Sequence, residues 1–100
     1  MTRYKVRLGA SGVLYDAWIE KVCYQSNKAA CLKLVDEEGI VAVATVNLEG
    51  VELAPEEVCI KDWSENTGML SELIRHGIVE DTGRRIPTGF VEAAVCRLKV

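Results

Sequence analysis

The sequence predicts an α+β protein in which an antiparallel, β-rich sheet or a small open barrel is covered by one helix. Short apolar segments recur along the chain with the two-residue alternation of strands, and turn residues separate them. One segment near residue 70 has instead the apolar spacing of an amphipathic helix. The resulting order, β-β-β-β-β-α-β-β, lacks the strand–helix alternation of a parallel nucleotide-binding sheet.

Two strands joined by a glycine-containing turn open the chain. The segment RYKVRL (3–8) alternates basic with apolar side chains, which is typical of a strand with one buried face. GASG (9–12) then leads into VLYDAWIEKVCY (13–24), where every second residue from Val13 to Ile19 is apolar or aromatic. A β-hairpin is the simplest connection between the two segments.

A second hairpin follows the first. AACLKLV (29–35) and IVAVATVNL (40–48) are apolar runs on either side of DEEG (36–39), a polar turn that ends in glycine. EGVELAPEE (49–57) is expected to be irregular, because glycine and proline interrupt it. EVCIKDW (57–63) has strand character again.

The helix is predicted over residues 65–76. Ser64 is placed to cap its N-terminus, and Leu70, Leu73 and Ile74 lie on its apolar side. Gly77 follows as a residue free to adopt the positive φ that commonly ends a helix. The apolar side of this helix is expected to pack on the sheet.

The remaining residues are predicted to form a short strand, a polar connection and a closing strand. The polar connection is DTGRRIPTGF (81–90), and the closing strand runs from about Phe90 to Leu98. One hundred residues suit a single domain, so the chain is expected to form one domain over residues 1–100.

Composition and charge exclude several classes of protein. Hydrophobic residues make up 49% of the chain and charged residues 27%, so the chain is expected to fold. Its mean hydropathy of +0.10 is high for so short a protein, and a homo-oligomer is expected to bury the surplus apolar surface. A net charge of −3 speaks against nucleic acid as the partner. Without a secretory signal or an apolar run of roughly 20 residues, a cytoplasmic protein with no membrane partner is expected.

No constellation of side chains points to catalysis, a metal or a cofactor. Cys23, Cys31, Cys59 and Cys96 are too widely spaced for any C-x-x-C element, and they are expected to stay reduced as small buried apolar residues. His76 is the only histidine, and its place at the predicted helix end suits an interaction with the helix dipole. The chain is therefore expected to be non-enzymatic, with no cofactor and no metal.

The segment DTGRRIPTGF has the side chains that a phosphate site requires. Arg84 and Arg85 offer charge-assisted hydrogen bonds. Thr82 and Thr88 offer hydroxyls, and Gly83 allows a close approach of the backbone. Acidic residues at 80 and 81 nearly cancel the local charge, however, and Thr-Gly pairs are ordinary turn sequences. The segment is therefore either a loop that binds an anion or a polar connection between strands.

Trp63 is the aromatic side chain best placed to complete such a site. It lies where a strand meets the N-terminus of the predicted helix, and free backbone N–H groups at such a point suit anions and stacked bases. Packing in the core is the alternative role for this side chain.

The C-terminal part of the chain resembles a known protein family. Residues Ile60–Leu98 carry SEN-x-GM, GIV and TGR-x-x-PTGF, and with these motifs they resemble the C-terminal half of a family of small proteins of unknown function. The family occurs in bacteria and in their phages, plasmids and other mobile elements. It has no assigned activity, so the resemblance implies no catalytic residue. It implies a setting in which accessory proteins block host defence proteins or sequester their nucleotide signals.

Two functional hypotheses follow. In the first, the chain is a non-enzymatic accessory protein of a phage or mobile element that captures a small anionic ligand, such as a nucleotide immune signal, or inhibits a host defence protein. Its arginine pair would hold the phosphate, its threonines would add hydrogen bonds, and Trp63 would stack on a base. In the second, the chain is a protein–protein interaction module that uses exposed apolar sheet surface and has no small ligand.

Overall fold

The computed structural model describes residues 1–100 and has the predicted α+β class. Seven strands form two antiparallel sheets, and they are β1 (Tyr4–Leu8), β2 (Val13–Cys23), β3 (Ala30–Asp36), β4 (Gly39–Val43), β5 (Glu57–Ile60), β6 (Val79–Thr88) and β7 (Val91–Leu98). A turn of 3-10 helix, Ser64–Asn66, and the α-helix α1, Met69–Arg75, lie between β5 and β6. The predicted order of elements is therefore confirmed. None of the helices has the length and apolar character that crossing a membrane requires.

The first sheet has the order β1-β2-β3-β4, and its second strand is longer than its first. β2 has 11 residues and β1 has 5. β1 pairs with β2 only from Val13 to Ala17, whereas β3 pairs with β2 from Trp18 to Cys23. The second half of β2 therefore extends beyond the end of β1.

The second sheet has the order β5-β7-β6, and an isolated bridge between Thr45 and Ile60 joins it to the first. β4 ends at Val43, so the strand predicted over residues 40–48 is shorter than expected. Thr45 is buried, and its hydroxyl accepts a hydrogen bond from the backbone N–H of Leu32 at 3.3 Å. The chain thus pairs with β3 up to Val43 and with β5 at Thr45, and this change of partner links the two sheets.

Two apolar clusters stabilise the fold. The larger cluster contains 15 buried residues and draws on all seven strands and on α1. The smaller cluster consists of Cys59, Ala93 and Val95, and Trp63 and Ile86 are among the residues that pack against it. β7 contributes to both clusters because alternate residues of a strand point to opposite faces of the sheet.

Helix α1 covers the free edge of β1. The carboxylate of Glu72 accepts a hydrogen bond from the backbone N–H of Arg7 at 2.7 Å. On the same edge, the carbonyl of Lys5 accepts hydrogen bonds from the guanidinium of Arg75 at 3.0 Å and from the imidazole of His76 at 2.9 Å. Unpaired backbone groups at a sheet edge otherwise attract other chains, so these side chains close the edge.

The helix differs from the prediction of residues 65–76 in two ways: it is shorter at its N-terminal end, and Ile74, expected to pack on the sheet, is 43% exposed. Gly68 directly precedes α1 with a φ of 95°, a left-handed conformation that a right-handed helix does not continue. The predicted capping role of Ser64 is wrong, because the side-chain oxygen of Asp62 accepts the N–H of Leu70 at 2.9 Å instead. The first turn of α1 is therefore held by a residue that lies outside the helix.

The predicted end of the helix is confirmed. Gly77 has a φ of 71°, and its N–H donates to the carbonyl of Ile74 at 3.0 Å. The N–H of Ile78 donates to the carbonyl of Leu73 at 2.9 Å. This pair of hydrogen bonds is a Schellman motif, and the buried side chains of Ile78 and Leu73 supply the hydrophobic contact that accompanies it.

Residues 81–90 form part of a strand and a tight turn, not the polar connection that the sequence predicts. β6 runs from Val79 to Thr88 and pairs with β7. The register shifts between Asp81 and Arg85, which marks a β-bulge. Backbone pairing with β7 overrides the turn propensity of the two Thr-Gly pairs, because the bulge accommodates the first pair and the hairpin turn accommodates the second.

Replacing Glu72 with glutamine is expected to lower the free energy of unfolding by about 1.5 kcal/mol at neutral pH. The neutral amide accepts weaker hydrogen bonds from Arg7 and Arg75 than the charged carboxylate does. The Glu72 side chain is only 13% exposed, so water screens these contacts little. Chemical denaturation of the wild type and the variant measures the difference. Glu49→Gln is the matched control, since Glu49 is exposed and takes part in none of the ion pairs. Equal losses in both variants would contradict the expected role of Glu72.

The same contacts make the stability depend on pH. Hydrogen bonds from the Arg75 guanidinium and from the backbone N–H of Arg7 hold the pKa of Glu72 below its usual value of 4.5. The contribution of Glu72 is therefore present above that usual pKa and is lost as the pH falls through the lowered pKa. Urea titrations at several pH values should show the difference between the wild type and Glu72→Gln shrinking on acidification. A difference that stays constant down to about pH 2 would show that the charge of Glu72 is not responsible.

Candidate functional site

The predicted site residues on β6 surround its bulge. Gly83 has a φ of 86° there, and its N–H donates to Oδ1 of Asp81 at 2.8 Å. Oγ1 of Thr82 donates to the carbonyl of Val95 at 2.7 Å and accepts the N–H of Arg84 at 3.3 Å. These hydrogen bonds hold the bulge in place, so Gly83 and Thr82 have structural partners within the chain.

Both arginines of the predicted site also have partners within the chain. Arg85 donates two hydrogen bonds to the carboxylate of Asp81, at 2.8 and 2.9 Å. These hydrogen bonds raise the pKa of Arg85 and lower the pKa of Asp81, so the pair is charged at neutral pH. Nη1 of Arg84 donates to the carbonyl of Glu52 at 2.8 Å. An anion would have to compete with these bonds for either guanidinium group.

The two arginines lie on opposite faces of the second sheet. Arg85 is paired across the sheet with Ala94, a member of the larger cluster. The next residue, Ile86, is paired with Ala93, a member of the smaller cluster. Arg84 lies within the bulge, and its hydrogen bond to the carbonyl of Glu52, beside Leu53 at the smaller cluster, places it on the face of Ile86, whereas Arg85 lies on the other. The structure does not bring the two guanidinium groups together around one phosphate.

The remaining predicted site residues are separated from each other as well. Thr88 is the last residue of β6, and Trp63 packs half-buried against the smaller cluster. The structure has three surface grooves, and no predicted site residue lines any of them. Binding of an anion by Arg84 and Arg85 stays a prediction, with no formed groove around these side chains.

A different candidate site lies along the second half of β2. Two neighbouring grooves, of about 460 and about 380 Å³, both have Lys21 and Val100 among their lining residues. Residues 18–21 of β2 line the first groove together with Met1, Thr2 and Tyr4, and residues 21–23 line the second together with Leu98. We call the two together the β2 groove.

The backbone of β2 is unpaired along this groove. The ladder between β1 and β2 ends at Ala17. Residues 18–23 form backbone hydrogen bonds with β3 on one side and with no other part of the chain. One side of this strand therefore presents backbone groups without partners to the groove.

The backbone groups that face the groove can be identified from β1. The N–H of Arg7 and the C=O of Lys5 point away from β2 towards α1. In an antiparallel ladder this direction alternates along the strand, so Tyr4 and its partner Ala17 point to each other. Counted in steps of two from Ala17, the residues whose N–H and C=O face the groove are Ile19, Lys21 and Cys23.

The other strand edges are protected or short. β6 is an edge strand, but the bulge at Gly83, the proline at 87 and the charged Arg85 discourage pairing with another strand. β4 has only 5 residues, and α1 covers β1. No groove lies along β4 or β6. The second half of β2 is the edge where unpaired backbone and a formed groove coincide.

Two adjacent residues of opposite charge stand at the centre of this edge. Glu20 accepts a hydrogen bond from Nε1 of Trp18 at 3.3 Å, and Nζ of Lys21 donates to the carbonyl of Val100 at 3.4 Å. Consecutive residues of a strand point to opposite faces, so each face carries one of the charges. Neither residue takes part in any of the five ion pairs. Each charge therefore has a hydrogen-bond partner but no ion-pair partner within the chain.

The β2 groove escapes prediction from the sequence, although one signal for it is present. The segment VLYDAWIEKVCY (13–24) is twice as long as RYKVRL (3–8), so one strand of the hairpin has to extend past the other. Strand propensity identifies both segments and leaves the partner of the surplus residues undetermined, because that partner is distant in sequence or belongs to another molecule.

Comparisons of the sequence and the structure with known proteins identify no relative of this chain. The chain matches no protein-family model, no curated protein and no solved structure. The resemblance of Ile60–Leu98 to the family from mobile elements therefore stays a prediction. No group of three or more His, Cys, Asp or Glu side chains is placed to hold a metal ion.

The cysteines divide into three buried thiols and one exposed thiol. Cys31, Cys59 and Cys96 are buried as expected, whereas Cys23 is exposed and the expectation is wrong for it. Cys23 is exposed because it ends β2, beyond the reach of β1. Burial raises the pKa of the Cys96 thiol to about 12, and burial also raises the pKa of Cys59.

A thiol reagent is expected to modify Cys23 alone in the folded protein, because Cys23 is the one exposed thiol and the reagent has no access to the three buried ones. Mass spectrometry after brief treatment with iodoacetamide should show one added group per folded chain and four per unfolded chain. Cys23→Ser is the control and should take up none while it is folded. Rapid labelling of a second cysteine in the folded wild type would contradict this arrangement.

Proposed function

We propose that this chain is a non-enzymatic protein–protein interaction module that binds an extended segment of another protein in the β2 groove. The observation that carries the proposal is the row of unpaired backbone groups at Ile19, Lys21 and Cys23 beside a formed groove. A sheet edge of this kind binds an extended chain by adding it as a strand. Main-chain hydrogen bonds then supply affinity, and pockets for alternate side chains supply selectivity.

The bound segment would lie on the line of β1 and would displace Met1 and Thr2, which precede β1 and line the groove beside Ile19. Every strand pair in the protein is antiparallel, so the segment would run antiparallel to β2, with its C-terminal end towards Tyr4. The free part of β2, Trp18 to Cys23, corresponds to roughly 20 Å of extended chain. Alternate side chains of the segment would enter the groove beside Tyr4 and Leu98.

A second copy of the chain fits this edge badly. Two identical edges that meet antiparallel are related by a twofold axis perpendicular to the sheet, and this axis pairs residues of the same face. In the two registers that pair most of the edge, Glu20 lies opposite Glu20 of the other copy, or Lys21 lies opposite Lys21. Like charges directly opposite each other are destabilising. The expected homo-oligomer stays a prediction, and it would have to use another surface.

The setting implied by the resemblance of Ile60–Leu98 makes a host defence protein the partner that we propose. Capture of a small anionic ligand receives less support from the geometry. Arg84 and Arg85 lie on opposite faces of the sheet, where they are hydrogen-bonded to Glu52 and Asp81.

Lys21→Pro tests the proposal, because it removes a groove-facing N–H and keeps the hydrogen bonds to β3. Lys21→Gln is the matched control, since it removes the same charge and keeps the N–H. Peptides that the wild type selects from a library of random displayed peptides should bind Lys21→Gln, and they should bind Lys21→Pro roughly tenfold more weakly than that control. When a selected peptide binds the wild type, amide hydrogen exchange should slow at Ile19, Lys21 and Cys23.

Three outcomes would contradict the proposal. The library yields no binder, the selected peptides bind Lys21→Pro as well as Lys21→Gln, or the edge amides are already protected in a dimer of the free chain. Native mass spectrometry of the free protein identifies the last case. A nucleotide that the protein retains from a cell extract, and loses in the double variant Arg84→Ala, Arg85→Ala, would support the anion hypothesis instead.

A further inference from the structure

We infer that the β2 groove selects an extended segment with the pattern apolar-acidic-basic-apolar, read from its N-terminus to its C-terminus. This inference rests on the proposed function and adds the chemical class of the partner segment. In antiparallel pairing the four residues of the segment lie, in that order, opposite Val22, Lys21, Glu20 and Ile19. The two charges of the β2 edge impose the central part of the pattern.

A basic residue is selected opposite Glu20. The carboxylate of Glu20 accepts a hydrogen bond from the indole of Trp18, which places both side chains on one face of the sheet. The guanidinium of Arg3 lies 5.1 Å from the centre of the indole ring but forms its ion pair with Glu37. Lys33 is the neighbour of Glu20 on β3, and the two form no ion pair. A cation directly opposite Glu20 on the free side is therefore favourable.

An acidic residue is selected opposite Lys21. This side chain lies on the other face, where Nζ donates to the carbonyl of Val100 at 3.4 Å. Its neighbour on β3 is the apolar Leu32. Glu56 lines the same part of the groove and forms no ion pair with Lys21. A carboxylate of the bound segment would thus become the ion-pair partner of this ammonium group.

Apolar residues are selected on either side of the charged pair. Ile19 packs against the larger cluster and lines the groove together with Tyr4, so once Met1 and Thr2 are displaced it offers apolar surface to the side chain opposite. Val22 is 39% exposed, and covering it with an apolar side chain removes that surface from water. β-Branched and aromatic side chains suit both positions, because they pack well on a pleated surface.

The order of the two charges also sets the register of the segment. A slip by one residue turns every side chain of the segment to the opposite face and places the acidic residue opposite Glu20 or Val22. A segment with the order basic-acidic places like charges opposite each other at both Lys21 and Glu20, which is destabilising. The edge therefore discriminates between segments that have the same composition.

Exchange of the two charges tests the inference. The double variant Glu20→Lys, Lys21→Glu keeps the net charge of the chain. The double variant Glu80→Arg, Arg97→Glu is the matched control, because it exchanges an ion pair on the other sheet. From one library of random displayed peptides, the wild type and the control should enrich apolar-acidic-basic-apolar, and the exchange variant should enrich apolar-basic-acidic-apolar. Peptides selected by the wild type should bind the exchange variant roughly tenfold more weakly.

The outcomes separate this inference from the proposed function. If the wild type and the exchange variant select the same motif, the charge pattern is wrong and strand addition still stands. If no protein selects a peptide, both are wrong. The double variant Glu20→Gln, Lys21→Gln keeps the test decisive should the exchange variant fail to fold. It should bind peptides without enriching a charge at either position, and charge selection that persists in it would overturn the inference.

Discussion

Hydrogen bonding at the strand edges organises this structure, because a backbone N–H or C=O group that is withdrawn from water needs a partner. The edge of β1 is bonded by side chains of α1, with Glu72 and Arg75 reaching its backbone directly. The chain that follows β4 bridges to β5 at Thr45 and so connects the two sheets. β2 extends beyond the end of β1, and its residues 18–23 pair with β3 alone. The candidate site is a direct consequence of this difference in length.

In the proposed function, the charges of that edge disfavour self-association and favour a different chain. Glu20 and Lys21 point to opposite faces, and a twofold axis can pair each of them only with residues of its own face. Self-association through this edge therefore brings like charges together, whereas a different chain is free to supply the complementary order. Proteins commonly place charged side chains on an edge strand to prevent it from pairing with the edge of another copy. In the proposed function, the same charges would distinguish one extended segment from another.

The sequence of DTGRRIPTGF shows which side chains are able to bind an anion, and it does not show on which face of the sheet each of them lies. Composition shows that Arg84 and Arg85 are able to hold an anion, but the two side chains form their hydrogen bonds on opposite faces of the sheet, Arg84 with Glu52 and Arg85 with Asp81. Local propensity favours a turn at both Thr-Gly pairs, and pairing with β7 converts the first of them into a bulge. The β2 groove was hidden for a related reason. Its walls come from Tyr4, the second half of β2 and Leu98, which are far apart in the chain.

The sequence by itself determined the order of strands and helix, the buried face of β1 and the end of α1 at Gly77. Each of these depends on contacts between residues a few positions apart, through alternation in a strand or through the positive φ that glycine allows. Only the tertiary structure decided where β1 stops along β2, which element covers each edge, and that Thr45 pairs with Ile60. These contacts join residues that are distant in sequence. Their formation depends on the packing of the whole chain, which local propensity does not report.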